Sequence, residues 1–310
     1  MRTPAKILTL LGGLTTLGGV TAAWANSEIN NFKLHQVEVP ILPPGVLDAS
    51  SLGMSSQGGK REFRILHISD LHMLPNQEHK IAWVSSLAAL RPHLVVNTGD
   101  NLGDAAAVPA VLRALNPLLR YPGIFVFGSN DYFGPKPVNP FGYLVGKKRK
   151  VSEEVLPWKG MRAAFIEHGW HDATHKRVEF KTSGVRLAIA GVDDPHHNLD
   201  NYDSIAGPPN PDADLAIGLS HSPEPHILER FAADGYQLTL HGHTHGGQIC
   251  LPGQHTIVTN CGIDRRRAKG LHKFDDMWMH VSNGLGNSKY VPFRLFCPPS
   301  ATLIRVTERL

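Results

Sequence analysis

From Arg64 onward, short apolar runs alternate with glycine- and aspartate-bearing turns and with helical patterns. Arg64 to Ser69, Leu94 to Thr98 and Ile124 to Phe127 read as buried strands. Between them, Gln77 to Leu90 carries Ile81, Val84, Leu87 and Ala88 at helical spacing and stops at Arg91-Pro92. Val108 to Leu119 reads as a second helix. Val185 to Ala190, Leu215 to Ser220 and Gln237 to Leu240 continue the strand series, and Pro225 opens a helix through Ala233. Trp278 to Ser282 and Ala301 to Val306 read as late strands of a second sheet. This rhythm predicts α/β layers with largely parallel neighbours.

Upstream the pattern differs. Arg2 and Lys6 precede Ile7 to Ala25, an uncharged stretch of 19 residues. Residues 1–26 therefore read as a signal peptide or an N-terminal membrane anchor, with Ala23-Trp24-Ala25 as a small-x-small cleavage site. The preceding positive charge directs the remainder outward, giving an exported or membrane-anchored protein with an extracytoplasmic catalytic domain. Residues 27–60 hold Pro40, Pro43-Pro44-Gly45 and a Ser/Gly-rich tract. They read as a linker, with room for one strand at Lys33 to Val39. The folded domain is expected over 61–310.

The polar residues that follow each strand carry the candidate chemistry. Asp70-Leu71-His72 follows the first, Gly99-Asp100-Asn101 the second and Gly128-Ser129-Asn130-Asp131 the third. Asp193-Asp194 and His196, then His221, follow later strands. The series ends in His241-Gly242-His243-Thr244-His245-Gly246-Gly247. In open α/β sheets, ligands bind beyond the carboxyl ends of the strands. One Asp there is an ordinary turn residue, but three in succession beside a histidine cluster point to metal binding.

In order and spacing these motifs resemble those of the calcineurin-like metallophosphoesterases over about residues 64 to 250. That resemblance implies a four-layer α/β/β/α sandwich and two divalent cations, manganese, iron or zinc. Asp70, His72 and His245 would hold one ion. His221, His243 and an amide oxygen would hold the other, with Asp100 bridging. A hydroxide between the cations would attack phosphorus in line. One motif departs from the family pattern, which has Asn then His where this chain has Ser129-Asn130-Asp131. Aligned without a gap, Ser129 takes the ligand place and Asn130 that of the histidine. With a one-residue bulge, Asn130 remains the ligand and Asp131 replaces the histidine. The bulged register is preferred, because an amide oxygen is a better hard-metal ligand than a serine hydroxyl. Asp131 is then the candidate proton donor, provided its pKa is raised, and activated esters or pyrophosphates are the better substrates.

A narrower resemblance rests on the N-terminal segment, the Asn283-Gly284-Leu285-Gly286 loop and Arg294. It is to a bacterial membrane-associated phosphodiesterase branch related to UDP-diacylglucosamine pyrophosphohydrolases. It implies a phosphoester substrate that is lipid-linked or part of the cell envelope, and membrane contact through the N-terminal segment. Competing readings are a metal-binding module without turnover and a nuclease of the same fold. A net charge of +4 and 7% aromatic residues display no basic, aromatic-lined groove, so no nucleic-acid partner is expected. Lys147-Lys148-Arg149-Lys150 and Arg265-Arg266-Arg267 read as solvated surface. His241 reads equally as a support for the ligands or as a core residue, and His67 as core. Cys250 and Cys261, two of the three cysteines, flank a Pro-Gly loop and read equally as a disulfide or as buried thiols.

Overall fold

A computed structural model describes residues 24–25, 27–49, 61–135, 153–287 and 289–309. Two six-stranded sheets face each other. The first contains β1 (Lys33–Leu42), β2 (Phe63–Ile68), β3 (Leu94–Asn97), β4 (Gly123–Phe125), β5 (His171–Asp172) and a strand from the end of the chain. The second contains β6 (Lys176–Thr182), β7 (Val185–Gly191), β8 (Leu215–Leu219), β9 (Leu238–His241) and, after a small hairpin of β10 (Cys250–Leu251) and β11 (His255–Thr256), β12 (Gly270–Phe274) and β13 (Met277–Val281). The final strand, β14 (Ser300–Glu308), crosses back into the first sheet between β1 and β2.

Side-chain alternation along the strands builds three separate apolar cores. Ile65, Val96 and Ile304 face Ile189, Ile217 and Leu240 across the space between the sheets. Leu66, Ile68, Val95 and Phe125 turn the other way. They pack under α1 (Glu78–Ser86), α2 (Val108–Leu115) and α4 (Trp158–Glu167); the single turn α3 (Ser129–Tyr132) comes between α2 and α4 in the chain. On the far side Ala216, Met277 and Met279 bury α5 (Pro225–Ala233) through Ile227, Leu228 and Phe231. The layers run α/β/β/α, as expected.

The strand for which Lys33 to Val39 left room forms as the 10-residue β1, which pairs in parallel along β14 and buries Val39, Ile41 and Leu42. One expectation is corrected: the two late strands do not share a sheet. Met277–Val281 joins β9 in the second, whereas Ser300–Glu308 joins the first. Among the described residues no helix is long and apolar enough to cross a membrane. Residues 1–23, which carry most of the expected signal or anchor, lie outside the described residues, as do 50–60 and the basic run at 147–150.

Parallel pairing of β2, β3 and β4, and of β7, β8 and β9, sends all six carboxyl ends to one edge of the sandwich. The site is therefore only as rigid as the core between the sheets. Ile217 is fully buried at the centre of that core, so Ile217→Ala is expected to cost about 2–5 kcal/mol. Urea unfolding checks this, and an unchanged midpoint would contradict the packing described.

Candidate metal centre

The ligand-type residues sit just past the strands, in backbone that turns sharply. Asp70 (φ 51°), His72 (38°), Asp100 (56°), His243 (69°) and His245 (50°) all occupy the left-handed region. For residues with a Cβ this region is sparsely populated and costs of order 1–3 kcal/mol each, so its concentration at candidate ligands marks a functional arrangement. Two glycines make the crowding feasible. A Cβ on Gly128 would collide with Asp100 Oδ1 and come within 2.7 Å of the His221 ring, and one on Gly242 would meet Asp70 Oδ2 at 2.5 Å.

The folded chain brings these groups together from β2, β3, β8 and β9. Asp70, His72 and His245 form one cluster, and Asp70, Asp100 and His221 a second, with ligand atoms in each within 4.8 Å of one another. His72 Nε2 lies 3.1 Å from His245 Nε2 and 3.5 Å from Asp100 Oδ2. His221 Nε2 lies 3.2 Å from Asp100 Oδ2 and 3.9 Å from Asp70 Oδ1. His243 stands beside the second cluster, its ring 5.4 Å from that of His221.

Hydrogen bonds at the outer nitrogens decide which atoms face inward. His221 Nδ1 lies 2.7 Å from the Thr98 carbonyl, and His245 Nδ1 lies 3.0 Å from the Gly286 carbonyl. His243 Nε2 lies 3.2 Å from the Asn260 carbonyl. A carbonyl only accepts, so each of these nitrogens carries the hydrogen, and in the neutral ring the opposite nitrogen presents its lone pair. His221 Nε2 and His245 Nε2 thus face the carboxylates of Asp70 and Asp100 and offer lone pairs there when the rings are neutral. Buried carboxylates and imidazoles gathered in this way suit a cation among them. The mixed nitrogen and oxygen donors suit a divalent transition metal, so these residues fit a metal site.

The protonation states follow. Burial pushes Asp70 up to about 6, with His221 opposing and Asp100 adding. Burial would also raise Asp100, but the adjoining His221, then His72 and Asn130, hold it well below the usual carboxylate range. Burial would lower His221, but the Asp100, Asp194 and Asp70 carboxylates raise it well above the ordinary imidazole value. His243 is pushed down to about 3 by burial, with His196 and His221 adding. Burial, then His72 and Arg294, keep His245 neutral as well.

The Gly128–Asp131 turn resolves in an instructive way. Asn130 donates from its backbone N–H to Asp100 Oδ1 (2.9 Å) and from Nδ2 to Asp100 Oδ2 (2.6 Å). Its Oδ1 is then the atom left to offer elsewhere. Asp131 is fully buried. Its Oδ2 accepts the Asp100 N–H (2.8 Å) and the Gly128 N–H (3.1 Å), and its Oδ1 accepts the Asn101 N–H (2.8 Å). The carboxyl ties two ligand loops together, whereas the expected proton donation requires a carboxyl facing substrate. Burial, then the Asp100 charge, pushes it up to about 7 against the pull of the backbone N–H groups. Ser129 donates its N–H to Asp194 Oδ2 (3.2 Å).

Further supports surround these groups, of which Lys80 was not singled out from sequence. The Arg294 guanidinium, fully buried, donates to the carbonyls of Gly286 (2.6 Å), Asn283 (2.9 Å) and Cys297 (3.1 Å) and lies 3.2 Å from His245 Nδ1. Lys80, buried on α1, donates to the Leu71 carbonyl (2.9 Å) between two candidate ligands. His241 turns its Nδ1 to Ser220 Oγ (2.8 Å), and His67 pairs with His280 (2.9 Å) and Thr98 (3.0 Å) in the core. His196 reaches Glu224 Oε1 (3.1 Å) and lies against the His243 ring (4.3 Å between centroids). All three cysteines are free thiols, and the sulfur beside Cys250 belongs to Cys297, not Cys261.

Relatives share most of this chain. Protein YpbG of Bacillus subtilis (strain 168) is 28% identical over 269 residues, covering 83% of this chain and 86% of its own. Metallophosphoesterase YkoQ of the same organism is 26% identical over 257 residues, covering 80% and 84%. Phosphodiesterase YaeI of Escherichia coli (strain K12) is 27% identical over 254 residues, covering 79% and 82%. A family model described as Calcineurin-like phosphoesterase matches residues 63–247, more than half of the chain and the part that holds every candidate ligand. The protein is therefore a member of the calcineurin-like phosphoesterase family.

Proposed function

We propose that the protein hydrolyses a phosphodiester or pyrophosphate bond by in-line attack of water at a site holding two divalent cations. The observation that carries this reading is the convergence of the Asp70 and Asp100 carboxylates with His72, His221 and His245 in two adjoining clusters. Bound there, manganese, iron or zinc would supply Lewis-acid polarisation of a phosphoryl oxygen and acidification of a water nucleophile. Asp70, His72 and His245 are the ligands of one ion, and His221, His243 and the Asn130 amide oxygen those of the other. Asp100 and Asp70 touch both clusters, and their negative charge offsets that of the cations. Carbonyl partners at Thr98, Gly286 and Asn260 hold the imidazoles in the ligating tautomer. Asp131 keeps the Asp100 and Gly128 loops in register.

The similar phosphodiesterase YaeI supports a diester substrate. The uncharged segment Ile7 to Ala25 supports an exported or membrane-anchored enzyme acting on a lipid-linked or envelope phosphoester.

Three outcomes are expected. Asp100→Ala should lose metal and cut hydrolysis of bis-p-nitrophenyl phosphate by about 10³-fold or more, since metal activation supplies several kcal/mol. Metal analysis beside the assay checks this. Wild-type protein that binds metal yet hydrolyses no phosphoester would leave a metal-binding module instead.

Metal binding should also depend on pH. In the metal-free protein His221 holds a proton above neutrality and Asp70 takes one up as pH falls through about 6. Cations compete with those protons, so affinity should rise with pH between about 5 and 8, with proton release on binding. Calorimetry in buffers of differing ionisation enthalpy reads both, and a flat profile would count against this ligand set.

Asp131→Asn replaces one acceptor oxygen by a donor facing N–H groups. It should destabilise the fold by about 1–3 kcal/mol while leaving the alkaline limb of the kcat profile in place. Loss of that limb would instead establish Asp131 as a proton donor.

A further inference from the structure

Beneath His245 lies a thiol pair that the metal chemistry does not use. Cys250 and Cys297 are both buried. Cys250 Sγ lies 3.3 Å and Cys297 Sγ 3.4 Å from one acceptor, the Gly246 carbonyl. Cys297 Sγ is also 3.3 Å from the His245 carbonyl. The backbone already joins the two segments: the Cys250 N–H donates to the Leu295 carbonyl at 2.8 Å. On the other side the Lys269 ammonium lies 3.4 Å from Cys250 Sγ. Cys261 is elsewhere, its carbonyl taken by Thr259 Oγ1 at 2.9 Å.

We propose that Cys250 and Cys297 form a redox modification site, closed to a disulfide by a hydroperoxide, and that closure loosens the hold on His245. The Cys250 sulfur attacks the peroxide, forming a sulfenic acid and releasing water or an alcohol. The Cys297 sulfur then displaces the sulfenic oxygen as a second water, so one peroxide oxidises two thiols. Lys269 favours the attacking thiolate; Cys297 and Lys269 together bring Cys250 down to about 6. Access comes through the β10–β11 hairpin, which is held by only two residue pairs, Cys250↔Thr256 and Leu251↔His255. The disulfide removes the Cys297 S–H from the His245 and Gly246 carbonyls and draws the Cys250 sulfur from its place beside the Gly246 carbonyl. Thr256 Oγ1 (3.0 Å to the Gly246 carbonyl) and Arg294 (3.4 Å to the His245 carbonyl) remain. The modification stands independently of the proposed function; its effect on metal rests on His245 being a ligand.

The test uses the full chain, reduced with dithiothreitol, loaded with zinc and then exposed to hydrogen peroxide. Peptide mapping by mass should find a Cys250–Cys297 cross-link lighter by two hydrogens, with Cys261 still alkylated. Zinc affinity should fall about tenfold, the scale of losing a support behind a ligand, and recover on reduction. Cys250→Ser should abolish the zinc response and Cys261→Ser should leave it intact. Sulfinic or sulfonic acids, or cross-links through Cys261, without the Cys250–Cys297 peptide would overturn the proposal. A cross-link with unchanged zinc affinity would overturn its coupling to His245. The map on wild-type protein decides the first point even where a serine variant fails to fold. Reduced protein that holds zinc but cleaves no ester would overturn the proposed function alone.

Discussion

The burial of two carboxylates among imidazoles is the constraint around which the molecule is arranged. Asp70 and Asp100 are closed off from water, with ring nitrogens of His72, His221 and His245 within 3.9 Å of them. Left to themselves such groups would repel or rehydrate, and a buried charge without a partner costs several kcal/mol. Left-handed backbone at five ligand positions adds a further cost. The chain holds this arrangement because the groups lie at the ends of strands whose other residues fill three apolar cores. Cations bound there would offset the buried negative charge, and a metal that binds only the folded state would link stability to its binding.

The topology adds a second layer of restraint. β14 inserts between β1 and β2, so the last strand of the chain locks the strand that delivers Asp70 and His72. The chain between β13 and β14 carries Gly284 and Gly286 over the β2 loop and brings Arg294 and Cys297 beneath His245. The Gly286 N–H donates to the Asp70 carbonyl at 2.6 Å, while its own carbonyl receives both His245 and Arg294. Both clusters thus depend on a segment well beyond the family match at residues 63–247. It acts through backbone carbonyls, which any residue type supplies.

That contrast explains what could be read from sequence. Asp70, His72, Asp100, His221, His243 and His245 were legible because each follows an apolar run, and parallel strands send their ends to one edge. Helices α1, α2 and α5 and most strands were legible for the same reason of period. The partner of β1 was not, because it lies more than 250 residues away, at β14. The assignment of β13 and β14 to different sheets was equally closed, since sheet membership depends on crossovers rather than on local pattern. Arg294 carries no local sign of burial, and the neighbour of Cys250 was misjudged because Cys261 is near in sequence while Cys297 is near in space. Lys80 belongs to the same class: a lysine inside an amphipathic helix reads as solvated until its carbonyl partner is known.

The Ser129-Asn130-Asp131 turn shows where spacing alone stops short of chemistry. Two registers were open, and side-chain type favoured Asn130 as ligand and Asp131 as acid. The geometry agrees with neither register in full. Asn130 does meet Asp100, but Asp131 turns away to hold three backbone N–H groups. A carboxylate in that place does work that an imidazole there could not, because three donors demand an acceptor with more than one lone pair. The turn therefore spends its acidic residue on holding two ligand loops at a fixed separation. In the proposed hydrolysis, protonation of the departing oxygen would then fall to solvent or to a group outside the turn, which would favour substrates whose leaving groups need little help. Pyrophosphates and aryl diesters would meet that condition better than simple alkyl diesters.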